Sequence, residues 1–371
     1  MSRFTSRSRR AAAFTSVLAA ALAAAALAGA TTIRTAAAAK PVKANPPVAK
    51  LIAQSKKESG LIVYGNAPSA NWKVVTDAFK AKYPWIGVTS YDLDNNVIFS
   101  KYASEAAQGS RTADLLVSSA PNLWIYARKQ RYLQDFVPGG LEKFPAFVKQ
   151  YKGVFVLSPD PAIVVYNRRL LGSKVPTRLS TIASDSGTYD KLTGYTVDNL
   201  FGYTALWGYV QKRGWSNLQR IGKDRLRSAT GVAQQLQLLA QGAAKAAYLT
   251  SPTARFTIEQ NAQYRELLAW VYMRDTTPLV PRGIGVTRKG ASPASAKLFL
   301  NFVYSVQGQQ IMCEAGFTAF RLKFKPKNGC KNTLAQVYAK VGRKNVIFVP
   351  FSQKFVNDRP KFQARWHQIF G

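Results

Sequence analysis

Histidine, cysteine and acidic residues are all scarce in this chain of 371 residues. His367 is the single histidine, Cys313 and Cys330 are the two cysteines, and 18 acids face 52 lysines and arginines. Each shortage excludes a chemistry. A histidine-based triad would have to use His367, near the C-terminus, and no G-x-S-x-G, H-E-x-x-H or glycine-rich phosphate loop occurs. Two thiols and one imidazole cannot make the usual zinc sets unless carboxylates join them. "DLDNN" at 92–96 starts like a calcium loop, but Val97 and Ala103 stand where glycine and glutamate are needed. Neither an enzyme nor a cofactor or resident metal is expected.

The surplus of base gives a formal net charge of +34, which invites a nucleic-acid or anionic-membrane reading. Such a reading needs a cluster. The basic residues instead run along the whole chain, interleaved with apolar positions, and the densest patches, "RLKFKPKNGCKN" at 321–332 and "DRPKFQARWH" at 358–367, are short. Dispersed charge fits a solvated surface, so no nucleic-acid partner is expected. A secreted polyanion binder stays as an alternative. The remaining composition, 47% hydrophobic and 12% aromatic, is enough for a large core in one or two domains.

Arg3, Arg7, Arg9 and Arg10 precede an uncharged alanine-rich run at 11–30, with small residues at 28–30 and again at 36–39. This is the layout of a secretory leader over 1–39, cleaved near 30 or 39; a retained anchor is the competing reading, but alanine supplies little transfer energy. Export to the periplasm follows. An oxidising compartment would join Cys313 to Cys330.

Beyond a linker at 40–57, strand and helix patterns alternate. "GLIVYGNAP" ends in a turn and is followed by "SANWKVVTDAFKAKYP", whose apolar positions share one helical face and which Pro84 stops. "WIGVTSYDL", "VIFSKYASEAAQG" and "ADLLVSS" continue a βαβαβ order, which predicts parallel pairing under helices. "AIVVYN", "KAAYLTS" and "ELLAWVYM" are later strands, and those near 162–167 and 266–273 are candidates to cross between two α/β groups. Ligands gather at the C-terminal ends of such strands. The "GNAPSA" and "VSSAP" turns are at two of these ends. There Ser118 and Ser119 are either helix caps or anion donors.

From about residue 58 onward the chain resembles the periplasmic solute-binding proteins of ABC importers, in the group that includes the ferric-ion-binding proteins. The resemblance rests on the order of "LIVYGN", "AFKAKYPWIGV", "TADLLVSSAPNLW", "YLQDF", "AIVVYNRRLL", "PTRLSTIA", "TPLVPRGIGVTRKGASPASAKLFLNFVYSVQGQQIM" and "FQARWHQIF". It implies a type II two-lobe α/β fold: mixed sheets flanked by helices, joined by crossing strands and closing on a solute. The expected layout is a first lobe from 58–165 and 271–330, a second from 166–270, and a C-terminal helical segment at 331–371. The family's adjacent iron-binding tyrosines fall at Pro252 and Thr253, and its histidine and acid fall near Pro68 and Ser119. Ferric iron prefers anionic oxygen or imidazole donors, so iron held in the family's way is not expected.

What remains is a cleft of hydroxyls, amides and aromatics. Asn66, Ser69, Ser118, Ser119, Asn199, Tyr203, Thr250 and Ser251 are the expected ligand-binding residues, and a small organic anion is the expected solute. Tyr203 has an equally good alternative as core. Arg282 in "LVPRG" pairs a substrate anion, pairs Asp275 or sits on the surface. The expected partners are that anion and the membrane permease of an importer, with the chain itself a monomer; ferric iron or an iron chelate is the alternative solute.

Overall fold

The computed structural model describes residues 46–327 and 330–371. The leader expected over 1–39 lies outside them. Among the described residues no helix is long and apolar enough to cross a membrane.

Two mixed sheets organise the chain. The first contains β1 (Leu61–Gly65), β2 (Val88–Asp92), β3 (Leu115–Ser118), β4 (Lys149–Tyr151), β5 (Val154–Pro161), β11 (Thr277–Val286) and β12 (Val346–Phe348), in the order β2-β1-β3-β11-β5-β4 with β12 on β11. The second contains β6 (Ile163–Asn167), β7 (Leu192–Tyr195), β8 (Leu226–Ala229), β9 (Ala246–Thr250) and β10 (Leu268–Tyr272), in the order β10-β6-β9-β7-β8. β1, β2 and β3 pair in parallel, as the alternating pattern predicts, whereas β11 runs antiparallel to both β3 and β5.

The chain passes between the sheets twice. β5 belongs to the first and β6 to the second, separated by Ala162; β10 belongs to the second and β11 to the first, separated by residues 273–276. The "ELLAWVYM" strand is shorter than its apolar run, because Ala262–Leu267 is helical. β6 is apolar or aromatic as far as Tyr166 and buried throughout, Asn167 at its end included.

Helices cover the faces by burying one stripe each. In Ser69–Lys82, Trp72, Val75 and Phe79 recur at three- and four-residue spacing and point into the first core. Phe79 meets Phe299 at 4.9 Å between centroids and Trp72 meets Phe317 at 5.9 Å, edge-on as aromatic quadrupoles prefer. The C-terminal helix Gln353–Phe370 sends Phe355, Phe362 and Trp366 into the second core beside Tyr203 and Trp207. Cys313 and Cys330 form a disulfide closing a loop 17 residues apart in sequence.

Candidate functional site

A cavity of about 380 Å3 opens between the two sheets. Asn66, Pro68, Asp92, Asn95, Ser119 and Arg282 line it from the first lobe. Tyr195, Asn199, Phe201, residues 231–233, Ser251 and Thr253 line it from the second. Nearly all follow the end of a strand or precede the start of a helix, where the chain turns and leaves backbone N–H groups without helical acceptors.

The first-lobe wall is a row of hydrogen bonds. Asn66 follows β1, and its Nδ2 donates to Ser119 Oγ at 2.7 Å. Its Oδ1 and main-chain oxygen accept from Arg282 Nη1 at 2.6 and 3.1 Å. Arg282, 2% exposed, turns its Nε and Nη2 to Asp160 Oδ2 at 3.2 and 3.1 Å. Asp160 also accepts from Ser158 Oγ, which in turn accepts the Thr318 N–H at 2.8 Å. Burial pushes the Asp160 carboxyl upward, opposed by Arg282 and Ser158. The guanidinium is therefore largely neutralised by the protein's own carboxylate. Arg282 is neither on the surface nor paired with Asp275; the latter accepts from Ser180 and Thr276 N–H instead.

Ser119 does not cap the following helix. Pro121–Lys129 starts with no side-chain cap, and the Ser119 hydroxyl proton has no acceptor among the described residues. Ser118 is different. Its Oγ donates to Asn95 Oδ1 at 2.6 Å and accepts the Ala120 N–H at 3.1 Å, so it fastens the turn from behind and does not line the cavity. Ser69 is exposed at the start of its helix, with its N–H directed at the Asp92 carboxylate. Desolvation by the cleft walls raises the Asp92 carboxyl above its usual range, while Arg282 and the Ser69 N–H pull it back.

On the second lobe, Asn199 caps Leu200–Arg213, accepting from Gly202 N at 2.9 Å and donating to Thr230 O at 2.8 Å. Gly202 is required there because a Cβ would stand 2.3 Å from Tyr195 Cβ. The helix Val232–Ala240 begins at Gly231 with no side-chain cap, so its first N–H groups border the cavity. Ser251 Oγ and Thr253 Oγ1 are 3.0 Å apart. Thr250 lies behind this turn, buried, its hydroxyl unpartnered and outside the cavity lining. Leu249, just before it, has φ 53°, a left-handed backbone that a bulky residue adopts only when its surroundings force it.

Of the two places open to Tyr203, the structure puts it in the core. It is fully buried, its hydroxyl donates to Phe355 O at 2.6 Å, and its ring packs on Phe355 and Phe362. The cavity thus gathers Asn66, Ser119, Asn199 and Ser251 from the expected set, and leaves Ser118, Ser69, Tyr203 and Thr250 out of its lining. Asp92, Tyr195 and the 231–233 turn were not anticipated. All three are at strand ends or helix starts, so the same signal that marked the serines marked them.

Asp92 is the only carboxylate in the lining, and among the described residues no three His, Cys, Asp or Glu side chains come together to hold a metal ion. Apart from Asp92 the donors are neutral oxygens and N–H groups, a poor match for a hard trivalent cation.

A substrate-binding protein of an ABC transporter from Agrobacterium tumefaciens has a similar structure, with a TM-score of 0.72, 19% identity, and 83% of this chain and 94% of that one covered. Iron-bound HitA from Pseudomonas aeruginosa superposes with a TM-score of 0.65 at 15% identity, over 81% of this chain and 98% of that one. The periplasmic binding protein AfuA from Actinobacillus pleuropneumoniae, with fructose-6-phosphate bound, gives 0.65 at 16% identity over 84% and 98%. At these identities the likeness is one of fold, and the fold is the type II periplasmic-binding architecture. No curated protein matches the chain in sequence. The family of bacterial extracellular solute-binding proteins matches residues 96–318, more than half of the chain. With two sheets joined by crossing strands around one polar cleft, the chain belongs to the bacterial extracellular solute-binding proteins, a family that binds its solute and is not one of enzymes.

Proposed function

We propose that this chain is the periplasmic solute-binding component of an ABC importer, holding a small hydroxylated organic anion in the cleft and handing it to a membrane permease. One observation carries the choice of solute. Helices starting at Pro121 on one wall and Val232 on the other begin at the cavity without side-chain caps, whereas at the helix starting at Ser69 the first N–H already faces Asp92. Uncapped helix starts present N–H donors and positive dipole ends, which favour a carboxylate, phosphate ester or phosphonate.

The other charges refine this. Arg282 is spent on Asp160, so it orients Asn66 and Ser119 more than it supplies net charge. Ionised, Asp92 accepts hydrogen bonds and donates none, which suits hydroxyl groups on the remainder of the solute. Phe201 and Tyr195 give that remainder an apolar wall. AfuA, similar in fold, holds fructose-6-phosphate, a solute of this general kind.

Thermal-shift screening of the leader-free chain against sugar phosphates, hydroxy acids, phosphonates, polyamines and ferric citrate tests the reading. A ligand at 100 times its Kd stabilises by about 2.7 kcal/mol, several degrees in midpoint. Stabilisation by a phosphorylated or carboxylated polyol is the expected result. Stabilisation by polyamines or ferric citrate alone would replace it.

A further inference from the structure

We propose that the end of the first lobe remote from the cleft carries a second anion site, in which Arg128, Arg131 and Arg288 hold a phosphate oxyanion. The strands and the helix set its location. β3 ends at Ser118, beside the cleft, while β11 runs antiparallel to it and ends at Val286, opposite Leu115. The helix Pro121–Lys129 starts near the cleft and ends roughly 13 Å away, one length of nine residues. At that far end Arg128, Arg131, Leu133, Asp135, Lys152 and Arg288 line one cavity of about 250 Å3.

The charge there is not balanced. Asp135, the single acid, is engaged by Lys152 at 2.7 Å. Arg288 spends its Nε on Leu133 O at 2.7 Å, and its main-chain N–H on Tyr132 O at 2.8 Å, which fixes the guanidinium and leaves both Nη groups free among the described residues. Arg128 stacks on the Tyr151 ring at 4.9 Å from its centroid, and among the described residues neither its guanidinium nitrogens nor those of Arg131 meet a protein acceptor. Three arginines face one concavity, with the guanidinium donors of Arg128 and Arg131 and the two Nη groups of Arg288 unspent.

The helix end does not need these cations. Tyr132 N donates to Ala127 O and Arg131 N to Arg128 O, each at 3.0 Å, so main-chain groups already close it. Arg131 is in the left-handed region, φ 56°, at a position where glycine is the usual residue and the less strained one. The position keeps an arginine at a conformational cost. Planar guanidinium forks match phosphate oxygens two at a time, and three of them suit a phosphate better than a single carboxylate.

Two sources offer this chemistry: free phosphate, or the headgroup of an anionic lipid. Calorimetry with inorganic phosphate and co-sedimentation with phosphatidylglycerol vesicles against phosphatidylcholine vesicles distinguish them. Each is run on the parent, on Arg131→Gly, on Arg128→Ala/Arg131→Gly, on Ser119→Ala as a cleft control, and on Lys80→Ala/Lys223→Ala as a control for net charge. Arg131→Gly is expected to keep or raise the melting temperature while weakening the responding probe at least tenfold, with both controls near the parent. Calorimetric response points to a free phosphate ligand, vesicle response alone to a headgroup. The proposal is overturned if neither probe binds at millimolar phosphate, if binding survives in the double arginine variant, if the lysine control loses as much, or if only Ser119→Ala loses it. The last outcome assigns phosphate to the cleft and leaves the reading of the cleft intact.

Discussion

Asp160, at the end of β5 just before the chain crosses to the second sheet, and Arg282, in the middle of the neighbouring β11, hold one another at 3.1 Å, both cut off from solvent. Hydrogen bonds extend from the pair in two directions. Through Asn66 they reach Ser119 in the cleft. Through Ser158 and Thr318 they reach Asn332, whose Nδ2 donates to Thr318 Oγ1 at 2.9 Å and whose Oδ1 accepts from Tyr272 on β10 at 2.9 Å. A buried polar path therefore runs from a crossing strand to the solute cleft. Such a path is rigid only when every member is satisfied.

Arg282→Met tests that dependence. It leaves the Asp160 carboxylate buried without its cation and strips Asn66 of its donor. Loss of one partner of a buried ion pair costs about 3–5 kcal/mol, and urea unfolding followed by circular dichroism reads it. Asp160→Asn/Arg282→Met, which removes both charges, is expected to recover part of the loss. A single variant within about 0.5 kcal/mol of the parent would show that the pair does not hold the strands.

The disulfide enters the same path from its other end. Asn332 N–H points to Cys313 Sγ at 3.3 Å, and Asn332 is two residues beyond Cys330. Closing a loop of this length contributes about 3 kcal/mol by the chain-entropy argument. Cys313→Ser/Cys330→Ser is expected to lower stability by about that amount. Because Asn332 also holds Tyr272, the β10 amides should gain hydrogen exchange more than the β1 amides do. Uniform exchange across both strands would separate the disulfide from the crossing.

How much of this was legible in the sequence depends on what each signal reports. Apolar runs bounded by turn residues marked β1, β3, β6 and β9, which are buried almost throughout, while β2, exposed from Thr89 to Asp92, is legible only from its place in the βαβαβ order. β5 and β11 were not read as strands: "VFVLSPDP" and "TPLVPRGIGV" carry prolines, which argue against central strands, yet Pro159 and Pro281 face each other where the register shifts near Arg282. Tertiary pairing overrode the local rule. In the site, strand ends predicted which turns meet but not which side chains face inward. Ser118 and Ser119 are adjacent and face opposite ways, and Tyr203 shares a helix with the cleft-lining Phe201 but turns to the C-terminal helix. That direction comes from a segment about 150 residues later, which no local window contains.

Asp92 supplies a pH-dependent test. Its carboxyl is raised in the folded chain, chiefly by desolvation, so over the range between the unfolded value of about 3.9 and the folded value the native state binds more protons than the unfolded state. Stability then falls as pH rises through that range, and the loss persists at neutral pH. Asp92→Asn should raise the melting temperature at pH 7, with the difference closing toward pH 3. A lower melting temperature at pH 7 would mean that Asp92 is held by favourable contacts, not opposed by its surroundings.

Ser119 and Tyr203 separate binding from packing most directly. Both are buried hydroxyls, but the proton of Ser119 is uncommitted at the cavity and that of Tyr203 is spent on Phe355 O. A hydrogen bond to a charged group contributes about 1.5–3 kcal/mol, so Ser119→Ala should weaken the cognate solute by roughly tenfold to a hundredfold. Its stability should fall by about 1 kcal/mol, since Asn66 Nδ2 loses an acceptor. Tyr203→Phe should cost a similar amount of stability through the orphaned Phe355 carbonyl and leave affinity within twofold. Calorimetric titration and thermal melts on the same two preparations give all four quantities. Equal affinity in Ser119→Ala and the parent would remove Ser119 from the solute site and leave the cleft's N–H groups as its anion donors, while a large loss in Tyr203→Phe would mean that the packing between the second lobe and the C-terminal helix sets the cleft's shape.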